Sequence, residues 1–138
     1  MGLNIKLLED SFELLAPQGD ALVERFYDNL FNDYPVVRPL FENVEMQEQR
    51  SKLLAGLALV VANLRSPDQL VPALEEMGQR HVEYGAVEDY YPAVGATLLK
   101  SLAEIAGDAW NDELEQAWSD AYGEISKIML AGVAAVTI

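Results

Sequence analysis

The length of 138 residues suits one domain that can bury a continuous apolar core. It leaves no room for a second catalytic module, so chemistry needing a flavin or nicotinamide is expected to draw on another protein. Nine basic residues against 23 acidic ones leave a formal charge of −14, which repels phosphate backbones and excludes nucleic acid as a natural partner. The chain has no cysteine, which removes disulfides, thiolate ligation and cysteine-based cofactor attachment and fits a reducing compartment. The longest apolar runs, Leu53 to Ala62 and Ile128 to Ala135, fall short of the roughly 20 residues that span a bilayer. No signal-peptide pattern opens the chain, and the expected setting is the cytoplasm.

Apolar residues recur at intervals of three and four from end to end, and no long stretch alternates with a period of two, so the expected class is all-α. Ile5, Leu8, Phe12 and Leu15 make the first stripe, broken by Pro17-Gln18-Gly19. Asp20 is placed to cap a second helix with Leu22, Val23, Phe26, Tyr27, Leu30 and Phe31 on its apolar face. Pro35 and Pro39 force a short irregular corner carrying Leu40-Phe41. A long helix is expected from about Glu45 to Leu64, with Gln49, Leu53, Leu57, Val60 and Leu64 on one side. After Ser66-Pro67, Leu70, Leu74, Met77 and His81 share a face of the next helix, which Gly85 closes. Tyr91-Pro92 opens another with Val94, Leu98, Leu102 and Ile105 inward, stopped by Gly107. The last begins near Asn111 and buries Leu114, Trp118, Tyr122, Ile125 and Met129. The unequal rows and the proline corner point to helices crossing at steep angles around something, rather than a regular bundle.

Polar residues interrupt three of these apolar faces. Tyr27 fills an inward slot between Val23 and Phe31, Gln49 lies one turn before Leu53, and His81 lies one turn after Met77. A buried polar group without a partner costs about 1–3 kcal/mol, so three intrusions suggest a shared polar ligand within the core. Taken singly, Tyr27 reads as a core tyrosine bonded to a carbonyl, Gln49 as a solvated amide at a helix start. His81 is the only histidine. Zinc asks for three or four protein ligands, whereas haem iron already has four nitrogens and asks for one axial base. A lone histidine therefore suits haem better than zinc, although such a residue is more often a polar group at a core margin than a ligand.

The run Arg25-Phe26-Tyr27-Asp28-Asn29-Leu30-Phe31, with Tyr34-Pro35 and Arg38-Pro39-Leu40-Phe41, resembles the front half of the bacterial haemoglobin and flavohaemoglobin globin family. Arg80-His81-Val82-Glu83-Tyr84-Gly85, Tyr90-Tyr91-Pro92-Ala93-Val94-Gly95 and Ala117-Trp118-Ser119-Asp120-Ala121-Tyr122-Gly123 are similar to it in order and spacing. The likeness covers essentially the whole chain. It implies a single globin domain over residues 1–138 with helices around a buried haem b, held non-covalently because the chain has no cysteine. His81 is then the proximal iron ligand and Phe41 the ring on the haem face. Tyr27 and Gln49 form the distal polar pair, with Leu53 as an apolar wall beside the gas. Met77, Val87 and Val94 line the proximal side, each also readable as plain core, and Tyr91 matches the family's proximal tyrosine. Lys52 or Arg80 would pair with a haem propionate, each equally readable as a solvated cation.

One position departs from the family. There the proximal tyrosine and a glutamate on the last helix form a network with the imidazole, and the matching position here is Val133. Glu124 precedes it by about nine residues, too far along the helix axis to stand in. The likeness therefore does not bring peroxidase-like electron push with it, and a backbone carbonyl is expected to orient the His81 ring. Three functions follow from the family. One is reversible dioxygen binding for storage, scavenging or delivery, with carbon monoxide and nitric oxide as further ligands. The second is nitric oxide dioxygenation with a separate reductase, and the third a gas-sensor module.

Overall fold

The computed structural model describes residues 3–83 and 90–137; for residues 82, 83 and 133–137 it describes the backbone alone. Gly85 lies outside the described residues. Every regular element within them is helical: α1 (Ile5–Leu15), α2 (Gly19–Asp33), α3 (Met46–Ala62), α4 (Pro67–Glu83), α5 (Tyr90–Ala106) and α6 (Asp112–Thr137). Short 3-10 turns occupy Ala16–Gln18, Pro35–Phe41 and Gly107–Ala109.

The caps explain most of the boundaries. Asn4 opens α1 by accepting from the Leu7 amide at 3.2 Å. Glu45 opens α3, its carboxylate taking the amides of Gln47 at 3.3 Å and Glu48 at 2.9 Å, where the helix dipole favours a negative charge. Asn111 opens α6 by accepting from the Leu114 amide at 2.9 Å. Asp20 does not cap α2 as expected. The helix starts one residue earlier, at Gly19, so Asp20 falls in its first turn and no side chain caps that end. Gly19 is there for contact: a Cβ would meet the Leu54 methyl groups of α3 at 2.8–2.9 Å. The proline corner is regular rather than irregular, a seven-residue 3-10 turn with Pro35 at its start. Gly107 ends α5 with φ +58°, a conformation open to glycine at little cost.

Packing follows the predicted stripes. Leu8 and Leu15 of α1, Leu22, Val23, Phe26 and Leu30 of α2, Leu74 of α4 and Leu98 and Leu102 of α5 are buried, as are Leu114, Trp118 and Met129 of α6. Burying each such side chain contributes about 1.5–3 kcal/mol. Helix α2 packs on α3 and α5, α4 lies along α6 in the most extensive interhelical contact, and α1 crosses α3 and α6. Buried polar groups fix these crossings by pairing. Asn29 Nδ2 of α2 donates to Ser101 Oγ at 3.1 Å and Glu104 Oε1 at 2.7 Å of α5. Trp118 Nε1 of α6 donates to Ser11 Oγ of α1 at 3.0 Å. At the surface, Arg65 grips Glu9 and Lys100 meets Asp33; each cation holds its carboxyl below the usual range. No helix among the described residues is long and apolar enough to cross a membrane.

Candidate functional site

The candidate residues form two groups of polar and aromatic side chains carried by different helices. On one side stands Tyr27, fixed by its place on the inward stripe of α2 and buried. Its ring is enclosed by three others: Phe26 edge-on at 5.0 Å, Phe41 edge-on at 5.6 Å and Phe31 tilted at 5.9 Å between centroids. Phe31 and Phe41 also meet edge-on at 5.4 Å, a geometry favoured by the ring quadrupole. The Arg38 guanidinium lies over Phe31 at 5.0 Å. The Pro35–Phe41 turn thus folds back and seats Phe41 against α2.

Gln49, in the first turn of α3, donates from Nε2 to Tyr27 Oη at 3.1 Å. Read alone, each of the two had a plainer partner available: a carbonyl for Tyr27, water for Gln49. The fold pairs them with each other instead. Burial raises the Tyr27 pKa above the ordinary value of 10, with the Gln49 bond pulling weakly the other way, so the phenol stays protonated at neutral pH. Leu53, one turn further along α3, is partly buried against the same core.

On the other side His81 lies in the last turn of α4, partly buried. Its Nδ1 is 2.7 Å from the carbonyl oxygen of Met77, one turn back. A carbonyl only accepts, so Nδ1 is the donor in this bond. This is the backbone carbonyl that the sequence led us to expect. One oriented imidazole fits the donor set of a haem, whose iron asks for a single axial base. Among the described residues no three His, Cys, Asp or Glu side chains converge as a cage for a bare metal ion.

Met77 and Val94 are partly buried and Tyr91 is buried, all within the same core cluster. The Tyr91 carbonyl accepts the Tyr122 hydroxyl at 2.7 Å, and Gly95 lies so close that a Cβ would meet the Tyr122 ring at 2.6 Å. Burial raises both phenols, Tyr122 the more strongly. Lys52 and Arg80 are exposed; Lys52 lines a surface recess with Glu45, Gln47, Glu48 and Ser51. Val87 and the side chain of Val133 lie outside the described residues. The sequence reading missed the ring enclosure of Tyr27. Phe31 could have been found from its four-residue spacing on α2, whereas Phe41 meets Tyr27 only through the turn.

Helix order, a tyrosine–glutamine pair on one side and an oriented histidine on the other define a class, and comparison supports it. The Globin family model matches residues 24–129, and the chain belongs to the globin family, a family of haem-binding proteins. It is 34% identical over 122 residues to a flavohemoprotein of Rhizobium meliloti, covering 87% of this chain and 30% of that protein. It is 30% identical over 124 residues to a flavohemoprotein of Bacillus subtilis, covering 88% and 31%. The chain thus spans about a third of the length of these relatives. Among solved structures, a bacterial globin of Campylobacter jejuni superposes with a TM-score of 0.84 at 28% identity, covering 96% of each chain. An engineered carbene transferase from Rhodothermus marinus, named for nitric oxide dioxygenase, superposes with a TM-score of 0.87 at 26% identity, covering 99% and 95%. The expected all-α globin fold is therefore the fold observed.

Proposed function

We propose that the chain is a haem b globin, one domain over residues 1–138, that binds dioxygen reversibly and tightly for storage, scavenging or delivery in the cytoplasm. The bond from Gln49 to Tyr27 inside its collar of rings carries this reading. Haem held non-covalently supplies a ferrous iron with one open position for dioxygen, carbon monoxide or nitric oxide. The rest is the work of the chain. His81 Nε2 would hold the haem iron, and the bond between Nδ1 and the Met77 carbonyl orients the ring. Because Tyr27 Oη accepts from Gln49, its own proton remains to be donated, and a hydroxyl that accepts donates more strongly. A hydrogen bond to a partly charged acceptor contributes about 1.5–3 kcal/mol, which slows release roughly 10- to 100-fold. Leu53 would keep water from that side, Phe41 would pack on the haem, and Met77, Val94 and Tyr91 would line the other side. Lys52 and Arg80 are exposed, as suits partners for carboxylates at a haem edge.

Absorption spectra with dithionite, carbon monoxide and oxygen test the cofactor; absence of a Soret band after haem reconstitution refutes it. Tyr27→Phe tests the distal role. Its oxygen dissociation is expected to quicken roughly 10- to 100-fold, and an unchanged rate refutes the assignment.

The flavohemoprotein relatives and the Rhodothermus neighbour favour a second reading, nitric oxide dioxygenation with a separate reductase. Rapid mixing of the oxygenated protein with nitric oxide, then assay with a reductase, separates the two. A single fast turnover leaves binding ahead, and sustained turnover establishes the enzyme.

A further inference from the structure

The turn of α4 just before His81 is pressed against α6 without a side chain between the two backbones. At Gly78 a Cβ would fall on the carbonyl oxygen of Met129, and at Gly132 a Cβ would lie 2.7 Å from the backbone of Glu75. In both cases the obstacle is main chain, which has no rotamer to turn aside. One residue after Gly78, the Gln79 side chain reaches across this contact, its Nε2 donating to the Gly132 carbonyl at 3.3 Å. That carbonyl belongs to buried backbone of α6.

The geometry points to Gln79 as a positioning residue for His81, clamping the last complete turn of α4 to α6. The need for a clamp follows from where His81 stands. It sits two residues before Glu83, the last described residue of α4, so its place depends on how the turn before it is held. The imidazole is tied to its own backbone through Met77, so any shift of this turn carries the ring with it. A bridge two residues before the ligand transmits the rigidity of α6, the helix against which α4 is most extensively packed. It orients the ring through the backbone rather than through its electronics, since the amide of Gln79 bonds to Gly132 and not to the imidazole.

This inference rests on His81 being the haem ligand, and the test separates the two claims. Haem-reconstituted wild type, Gln79→Leu and Gln79→Lys are compared by resonance Raman spectroscopy of the ferrous, gas-free form, together with amide exchange over α4. Gln79→Leu removes the donor at similar size, and Gln79→Lys returns a donor of similar reach. The expected result for Gln79→Leu is a shifted or broadened iron–histidine band and exchange of the Arg80–Glu83 amides about fivefold faster, as the loss of one hydrogen bond implies. Gln79→Lys is expected to restore both. A wild type without an iron–histidine band overturns the ligand reading of His81, and this proposal with it. A wild-type band that neither variant moves, with unchanged exchange, overturns the positioning role alone.

Discussion

The two groups of candidate site residues are held in different ways. On the α2–α3 side the polar atoms are set by side chains acting on side chains: an amide on a phenol, and three rings around that phenol. On the α4–α6 side the ring is set by main chain: a carbonyl on the imidazole, and close glycine contacts between the two helices earlier along α4. Side-chain networks hold a proton where it is useful and can be retuned by one substitution. Backbone contacts hold position, and a change there moves a whole helix. The contrast suits a site in which one half chooses what is bound and the other half supplies a fixed point.

The largest way to break this contrast is to remove the fixed point. His81→Ala is expected to abolish stable haem retention while leaving helicity intact, and added imidazole should restore a Soret band; absorption and circular dichroism check this. If haem stays bound without imidazole, the fixed point lies elsewhere. Gly78→Ala comes next. Its Cβ meets backbone, so overpacking should lower stability by about 1–3 kcal/mol, measured by urea unfolding of the apoprotein. A neutral result would show that α4 can slide on α6. Gln49→Leu sharpens the other half. It removes a donor to Tyr27 but keeps the phenol, so oxygen dissociation should rise about fivefold, less than for Tyr27→Phe; equal effects would make the pair a single unit.

The smallest effect is in pH. Tyr27, Tyr91 and Tyr122 all resist ionisation in the folded chain because burial raises them. Their contribution to stability is complete below the ordinary tyrosine value of 10 and declines as pH rises above it, since the unfolded chain then releases protons that the folded chain keeps. Tyr122→Phe should flatten this alkaline decline, at a cost of about 1 kcal/mol near neutrality for its bond to Tyr91. Urea unfolding at stepped alkaline pH measures both.

Much of the fold could be read in advance because helical periodicity is a local property. The stripes of α1, α2 and α5 and the start of α6 near Asn111 were legible in this way. Asp20 misled because capping depends on where the chain enters a helix. Here α2 starts at Gly19 with Gln18 in the cap position, two residues ahead of the expected cap. The 3-10 order of the proline corner was hidden for a similar reason. Prolines alone do not decide this, since α4 holds Pro67 and Pro72 and is α-helical; here the packing of Phe41 on Tyr27 accompanies the 3-10 turn that forms.

The candidate site divides along the same line. Residue types and spacing alone marked His81, Tyr27 and Gln49 as polar intrusions, because a polar residue on an apolar face is visible wherever the face can be traced. That Gln49 bonds to Tyr27 was decided by the fold. So was the closeness of Gly78 and Gly132 to the backbone of the facing helix. These are contacts between segments far apart in sequence. Their distances depend on how whole helices cross, and no local pattern of residues encodes that angle.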